Sequence, residues 1–275
     1  MKPLEAVHSV ARELDEAGVP SPRVDAECLV AAVAGVTRTG LYSADADLAD
    51  DDVARLRSLV ERRRAREPLA YVLGEWGFRR LNLRVDGRVL VPRPETEVLV
   101  ERCLERLKGL SSPRVLDVGV GSGAIALAVA DEHPGARVLA VERSPGALEV
   151  ARENLRRLDL NGRVEFRLGD LLAGVGGPFD VVVSNPPYVA PEDYDSLQPE
   201  IRLYEPREAL VGVGVGTAVA RDARRVLRPG GWIVLECGDG QAPALAAEIA
   251  ELGYRDLTTS PDLAGRDRVV EGRWA

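Results

Sequence analysis

The stretch from Arg114 to Ala130 constrains the fold of this chain more than any other. Arg114-Val115-Leu116-Asp117-Val118 is a short apolar run, and Gly119-Val120-Gly121-Ser122-Gly123 places glycine at every second position. Ala124-Ile125-Ala126-Leu127-Ala128-Val129-Ala130 follows and is rich in strong helix formers. Buried strand, glycine turn and helix form the opening unit of an open α/β sheet, whose ligands sit beyond the carboxyl ends of the strands. The glycines let backbone approach a ligand closely. The spacing is Gly-x-Gly-x-Gly rather than the Gly-x-Gly-x-x-Gly of dinucleotide binders. A glycine cluster alone is weak evidence, since many are plain turns.

The next strand adds weight. Arg137-Val138-Leu139-Ala140-Val141 ends at Glu142, about 20 residues past the glycines, where a ribose-binding acid stands. Ser144-Pro145 then caps and starts a helix. Further on, Phe179-Asp180-Val181-Val182-Val183-Ser184 reads as a buried parallel strand ending at Asn185-Pro186-Pro187-Tyr188. Two prolines remove two backbone donors and stiffen the turn. The Asn185 oxygen and a proline carbonyl can accept the two hydrogens of a planar NH2 group, with the Tyr188 ring over its face. The bland alternative is a strand followed by an ordinary proline turn.

Together these features resemble a class I S-adenosylmethionine-dependent methyltransferase. The resemblance implies that Gly119, Val120, Gly121, Ser122 and Gly123 bracket the methionine part of S-adenosyl-L-methionine, Glu142 the ribose, and Asp170 and Leu171 the adenine, after a third strand, Val164–Leu168. Asn185 touches both cofactor and substrate on this reading, and Asn185, Pro186, Pro187 and Tyr188 hold the methyl acceptor. Asn185, Pro186 and Tyr188 are the expected catalytic set. Four further stretches, Asp25-Ala26-Glu27-Cys28-Leu29, Arg93-Pro94-Glu95-Thr96-Glu97, Glu205-Pro206-Arg207-Glu208-Ala209-Leu210 and Asp262-Leu263-Ala264-Gly265-Arg266-Asp267-Arg268, are similar to the bacterial HemK/PrmC family, which methylates a glutamine of peptide chain release factors. Family members often place an aromatic residue where Leu171 stands. The implied fold is a Rossmann-like domain, a mostly parallel seven-stranded sheet with helices on both faces, preceded by a small helical bundle and a linking β-hairpin. DNA adenine methyltransferases share the tetrapeptide and form the alternative reading.

Charge weighs against that alternative. The formal net charge is −8, which disfavours the many phosphate contacts of sequence-independent DNA binding. Three scattered cysteines and only two histidines, His8 and His133, lack metal-ligand spacing, so no metal site is expected and free thiols fit a reducing cytoplasm. No apolar run reaches the length of a membrane span, and the first residues lack a signal peptide's apolar core. A cytoplasmic monomer acting on release factors, without stable nucleic-acid or membrane partners, is the expectation.

Periodicity divides the chain. Residues 1–70 read as a helical bundle that docks the protein substrate, with Leu4, Val7, Val10, Ala11 and Leu14 on one face. Ser21-Pro22 starts a helix and Gly35 stops it. The basic run Arg62-Arg63-Arg64-Ala65-Arg66 reads as a solvated helix end. Residues 71–92 read as a hairpin linker turning at Asp86-Gly87. Residues 93–275 read as the methyltransferase domain, closed by an antiparallel pair near Tyr254–Leu257 and Arg268–Glu271.

Overall fold

The computed structural model describes all 275 residues, which fall into two units: residues 1–75 with 198–204, and residues 76–197 with 205–275.

The first unit is helical. It comprises α1 (Pro3–Glu16), α2 (Pro22–Ala34), α3 (Asp50–Arg64), α4 (Leu69–Leu73) and, from the distant segment, α8 (Pro199–Tyr204). Pro3 and Pro22 occupy the first turns of α1 and α2, where a missing N–H is harmless. Gly35 ends α2 at φ +64°, a left-handed cap that glycine adopts without strain. Val7, Val10 and Leu14 of α1 pack with Leu29, Val30 and Val33 of α2 and with Leu56 and Val60 of α3. Three aspartates open α3 and three arginines close it, matching the helix dipole at both ends.

The arginine run is not a solvated end. Arg63 is only 4% exposed. It donates to Asp25 at 2.7 Å and to Glu200 at 2.9 Å, while Arg66 reaches both Glu200 oxygens at 2.7 Å. Burial works against the Glu200 carboxylate, but the Arg66 and Arg63 hydrogen bonds outweigh it and hold its pKa below the usual range. Helical spacing alone does not reveal a carboxylate that arrives from a segment over 130 residues away in the chain.

The second unit begins with β1 (Glu75–Phe78) and β2 (Leu81–Arg84), a two-stranded sheet. Its turn is Arg79-Arg80, with Arg79 at φ +51°. Asp86-Gly87 makes a separate turn, closed by Val89 N–H donating to the Asp86 carbonyl at 3.0 Å. The turn signal was therefore real, but it belongs to the chain leaving the hairpin. Helix α5 (Pro94–Leu107) follows. Then come β3 (Arg114–Val118), α6 (Ala124–Glu132), β4 (Arg137–Glu142), α7 (Pro145–Arg157), β5 (Val164–Leu168) and β6 (Phe179–Ser184). After the excursion into α8, the chain adds α9 (Val215–Ala223), β7 (Leu227–Glu236), α10 (Ala242–Glu251), β8 (Arg255–Pro261) and β9 (Asp267–Arg273).

The seven strands run β5-β4-β3-β6-β7-β9-β8. All neighbours up to β7 are parallel, while β9 is antiparallel to β7 and to β8. Alternation along the strands feeds two cores. Val115, Val181, Val183 and Val234 pack under α5 and α6, whereas Leu116, Val182, Ile233 and Leu235 pack under α9 and α10. From β3 the chain builds outward to β5, then returns to place β6 on the other side of β3. The order reverses between β3 and β6, and ligands of open α/β sheets bind at that point.

Candidate active site

Register brings the sequence-marked residues to one level. Val118 pairs with Val141, Asp117 with Val183, and Ser184 with Leu235. Gly119, Glu142, Asn185 and Glu236 therefore all stand at strand carboxyl ends around the switch point. A cleft opens there, lined by Gly119, Val120, Gly121, Ser122, Glu142, Asp170, Leu171, Asn185, Pro186 and Pro187. Arg93 and Thr96 border the same space.

The glycine loop is held from below. Gly119 N–H donates to the Val141 carbonyl at 2.9 Å. Asn154 of α7, fully buried, donates to the Ser122 carbonyl at 2.9 Å. Gly121 has φ +54°, and a Cβ built on it would meet nothing within 4 Å. A side chain there would project into the cleft. The bare backbone thus keeps a cradle free for a bulky ligand. Gly123 is different: it does not line the cleft, and a Cβ there would come within 2.9 Å of Leu127 Cδ1. Its φ of +87° starts α6, so its work is structural.

Glu142 is preorganised. One carboxylate oxygen accepts Gly121 N–H at 3.0 Å and the other accepts Ser144 N–H at 2.9 Å. Each oxygen keeps a second lone pair for a hydroxyl donor, which suits the vicinal hydroxyls of a ribose. Leu171, at φ +47°, offers an aliphatic wall beside Asp170.

At Asn185, the side-chain Nδ2 donates to Thr96 Oγ1 of α5 at 3.1 Å. That leaves Oδ1 as an acceptor, and the Pro186 carbonyl lies one residue on. The following backbone is pinned: Val189 N–H donates to the Leu210 carbonyl at 2.9 Å, and Gly212 N–H to the Val189 carbonyl at 3.1 Å. The segment that does the pinning is itself anchored. Glu205, buried, accepts Val91 N–H at 3.3 Å and a guanidinium N–H of Arg93. The three motifs around Arg93, Asn185 and Glu205 thus meet physically.

Tyr188 departs from expectation. It does not line the cleft; its carbonyl accepts from Gln241 at 3.0 Å. Burial pushes its phenol up to about 12, with Glu236 adding to the rise. Its half-buried side chain feels the charges of Glu236, Arg268, Arg93 and Glu95. Two buried acids belong to no sequence motif. Asp117, fully buried on β3, accepts Ala126 N–H at 3.1 Å through Oδ2, while Oδ1 has no partner. Burial pushes its pKa up to about 8, against the Ala126 bond and helped by Glu142. Glu236 ends β7 and is equally dry. The available signal was a charged residue inside an otherwise apolar strand.

Comparison with known proteins shows the family. The family model described as the PrmC N-terminal domain matches residues 5–74, and the one described as the methyltransferase small domain matches residues 94–210. A release factor glutamine methyltransferase of Caulobacter vibrioides is 43% identical over 94% of this chain and 92% of its own length. One from Geobacter sulfurreducens is 44% identical, covering 94% of this chain and 92% of its own length. The chain belongs to the release factor glutamine methyltransferase family. A T. thermophilus 16S rRNA methyltransferase solved in complex with AdoMet and guanosine superposes with a TM-score of 0.53 at 20% identity, over 73% of this chain and 50% of that one. At that identity it shows the shared fold alone.

No group of His, Cys, Asp and Glu in the structure is arranged to hold a metal ion. No helix is long and apolar enough to cross a membrane. The three cysteines are free; Cys103 and Cys237 are buried, Cys28 only half so.

Proposed function

We propose that this chain transfers a methyl group from S-adenosyl-L-methionine to the side-chain amide nitrogen of a glutamine in peptide chain release factors. The observation that carries the reading is the Asn185 amide. Its nitrogen is committed to Thr96, so its oxygen faces the cleft as an acceptor for an NH2 group. Family membership over 94% of the chain favours a protein glutamine over a DNA adenine as the owner of that group.

Gly119, Gly121, Ser122, Glu142, Asp170 and Leu171 would hold S-adenosylmethionine, which would supply an electrophilic sulfonium methyl: the nitrogen–carbon bond would form as the carbon–sulfur bond breaks, giving S-adenosyl-L-homocysteine, and the methylated nitrogen would then lose one proton to solvent. The protein's own part is positional. An amide nitrogen is a poor nucleophile because its lone pair is delocalised, as the rotation barrier of about 18–20 kcal/mol shows. Asn185 Oδ1 and the Pro186 carbonyl each accept one N–H of the glutamine and hold its nitrogen in line. They also stabilise the positive charge that grows on nitrogen as the new bond forms. Pro187 stiffens the loop that carries both acceptors. Tyr188 keeps water from the site. Residues 1–70 dock the protein substrate, since a glutamine on a large protein needs orientation beyond a four-residue pocket. The protein works in the cytoplasm, where release factors act, as a monomer.

The test is label transfer. Incubated with methyl-labelled cofactor, the protein should label a release factor on one glutamine, located by peptide mass spectrometry, and leave an adenine-containing duplex unlabelled. Transfer to the duplex alone, or to neither, overturns the reading.

A further inference from the structure

Glu236 is 1% exposed at the end of β7, after Ile233, Val234 and Leu235, all fully buried. Its Oε2 has no hydrogen-bond partner. Burying a carboxylate with one oxygen unpartnered is unfavourable, and such groups concentrate at functional sites. A leucine would fill the same space without that penalty. Glu236 lies behind the cleft rather than on it, whereas Thr96 and Asn185 line it.

Groups from several elements face this carboxylate. Burial raises its pKa most strongly, to about 7. The Ser184–Leu235 pairing sets Asn185 beside Glu236 at adjacent strand ends; Thr96 of α5 and Asn185 favour its charged form, as does Arg268 of β9, while Glu95 of α5 opposes it. Tyr188 and Cys237 both feel its charge. Thr96 accepts from Asn185 Nδ2 at the same time. Asn185 therefore turns its nitrogen inward against Thr96 and Glu236. An ionised carboxylate only accepts hydrogen bonds, so it dictates which end of the Asn185 amide points in. A protonated carboxyl can donate instead, which lets the amide reverse and present NH2 to the substrate's NH2.

We infer that Glu236 is a positioning residue for methyl transfer: with Thr96 it anchors the Asn185 nitrogen, so that Oδ1 meets the acceptor amide, and its charge strengthens Oδ1 as an acceptor. Hydrogen bonds in a chain polarise one another in a low-dielectric interior. Positive charge growing on the acceptor nitrogen is then stabilised through Asn185 by a carboxylate that never touches substrate. The inference rests on the proposed glutamine reaction.

The experiment uses the full chain, a release factor carrying its glutamine, and saturating cofactor. Glu236→Gln is nearly isosteric and should lower the single-turnover rate about ten-fold or more at pH 8, the scale of a lost preorganised polar interaction. Its cofactor dissociation constant should stay within about two-fold of wild type. The wild-type rate should fall below about pH 7, approaching ten-fold per unit, and the variant should lack that limb. Thr96→Val should also slow transfer, and Thr96→Ser, which keeps the hydroxyl, should recover most of the loss. A second readout needs no reaction: the Asn185 side-chain amide resonance of 15N-labelled protein should shift as Glu236 titrates near pH 7, and should stand still in Glu236→Gln. A wild type that methylates the factor beside an indistinguishable Glu236→Gln overturns this inference alone. A wild type that transfers nothing overturns the substrate reading and this inference with it. If Glu236→Gln does not fold, the Thr96 pair and the wild-type titration decide, and an Asn185 resonance that ignores pH overturns the idea.

Discussion

At Asn185 one amide carries two jobs: its nitrogen is tied to Thr96 and its oxygen is left for the acceptor. The second job matters only while charge builds on the substrate nitrogen. Asn185→Ala should therefore cut the single-turnover rate roughly 10²–10³-fold while leaving cofactor affinity nearly unchanged, which rapid-quench kinetics and calorimetry separate. Asp117 makes a different kind of claim. Its native pKa of about 8 lies above the unfolded value of about 3.9, so the native site prefers the neutral acid. The stability this lends is full below about pH 4 and is lost as pH rises toward 8, by at most about 1.4 kcal/mol per unit. Asp117→Asn keeps an acceptor for Ala126 and carries no charge. Its melting temperature should gain on wild type progressively between pH 5 and pH 8, and a gap that does not change with pH would sink the assignment.

Among the elements, the carboxyl end of α3 is the most heavily committed. Arg63 joins Asp25 of α2 to Glu200 of α8, and both carboxylates are buried. Removing the cation strands Asp25 and leaves Glu200 to Arg66 alone, and breaking a buried pair in this way typically costs about 3–5 kcal/mol. Arg63→Ala should show a loss of that order in urea unfolding of the first unit. Arg64, exposed and paired only with Glu61 within its own helix, should cost under about 1 kcal/mol on substitution. The contrast between adjacent arginines is the measurement: equal losses would mean that the buried network contributes nothing beyond surface charge.

For the whole molecule, the chain path shapes the docking test. The second unit holds the cleft and every residue proposed to face the cofactor, yet the first unit includes residues 198–204. A truncation that deletes residues 1–75 alone leaves Glu200 without Arg63 and Arg66. The informative variant also replaces 198–204 with a short flexible linker. It should bind cofactor with near wild-type affinity by calorimetry and lose most of its activity on the intact release factor. It should lose far less on a short peptide carrying the same glutamine. Equal losses on factor and peptide, with cofactor binding retained, would remove the docking role.

Periodicity and local chemistry determined much by themselves. Glycine at every second position, an acid about 20 residues on and a β-branched strand ending in Asn-Pro-Pro-Tyr identified the α/β class, the strand ends and most of the cleft, because these are short-range constraints. Leu4 to Leu14 marked α1, and Ser21-Pro22 and Gly35 bounded α2, for the same reason. Tertiary structure decided the rest. The hairpin turns at Arg79-Arg80 rather than Asp86-Gly87, because Phe78, Leu81 and Leu83 must join the core under α5 and α6. Arg63 is internal because Glu200 reaches it from a distant segment. Tyr188 is not among the residues that line the cleft, although it follows directly on three that are. Thr96 and Glu236 meet Asn185 only after the β6–β7 register and the α5 packing bring residues 96, 185 and 236 together. Burial and partner choice depend on contacts far apart in the chain, and one sequence read by local pattern does not contain them.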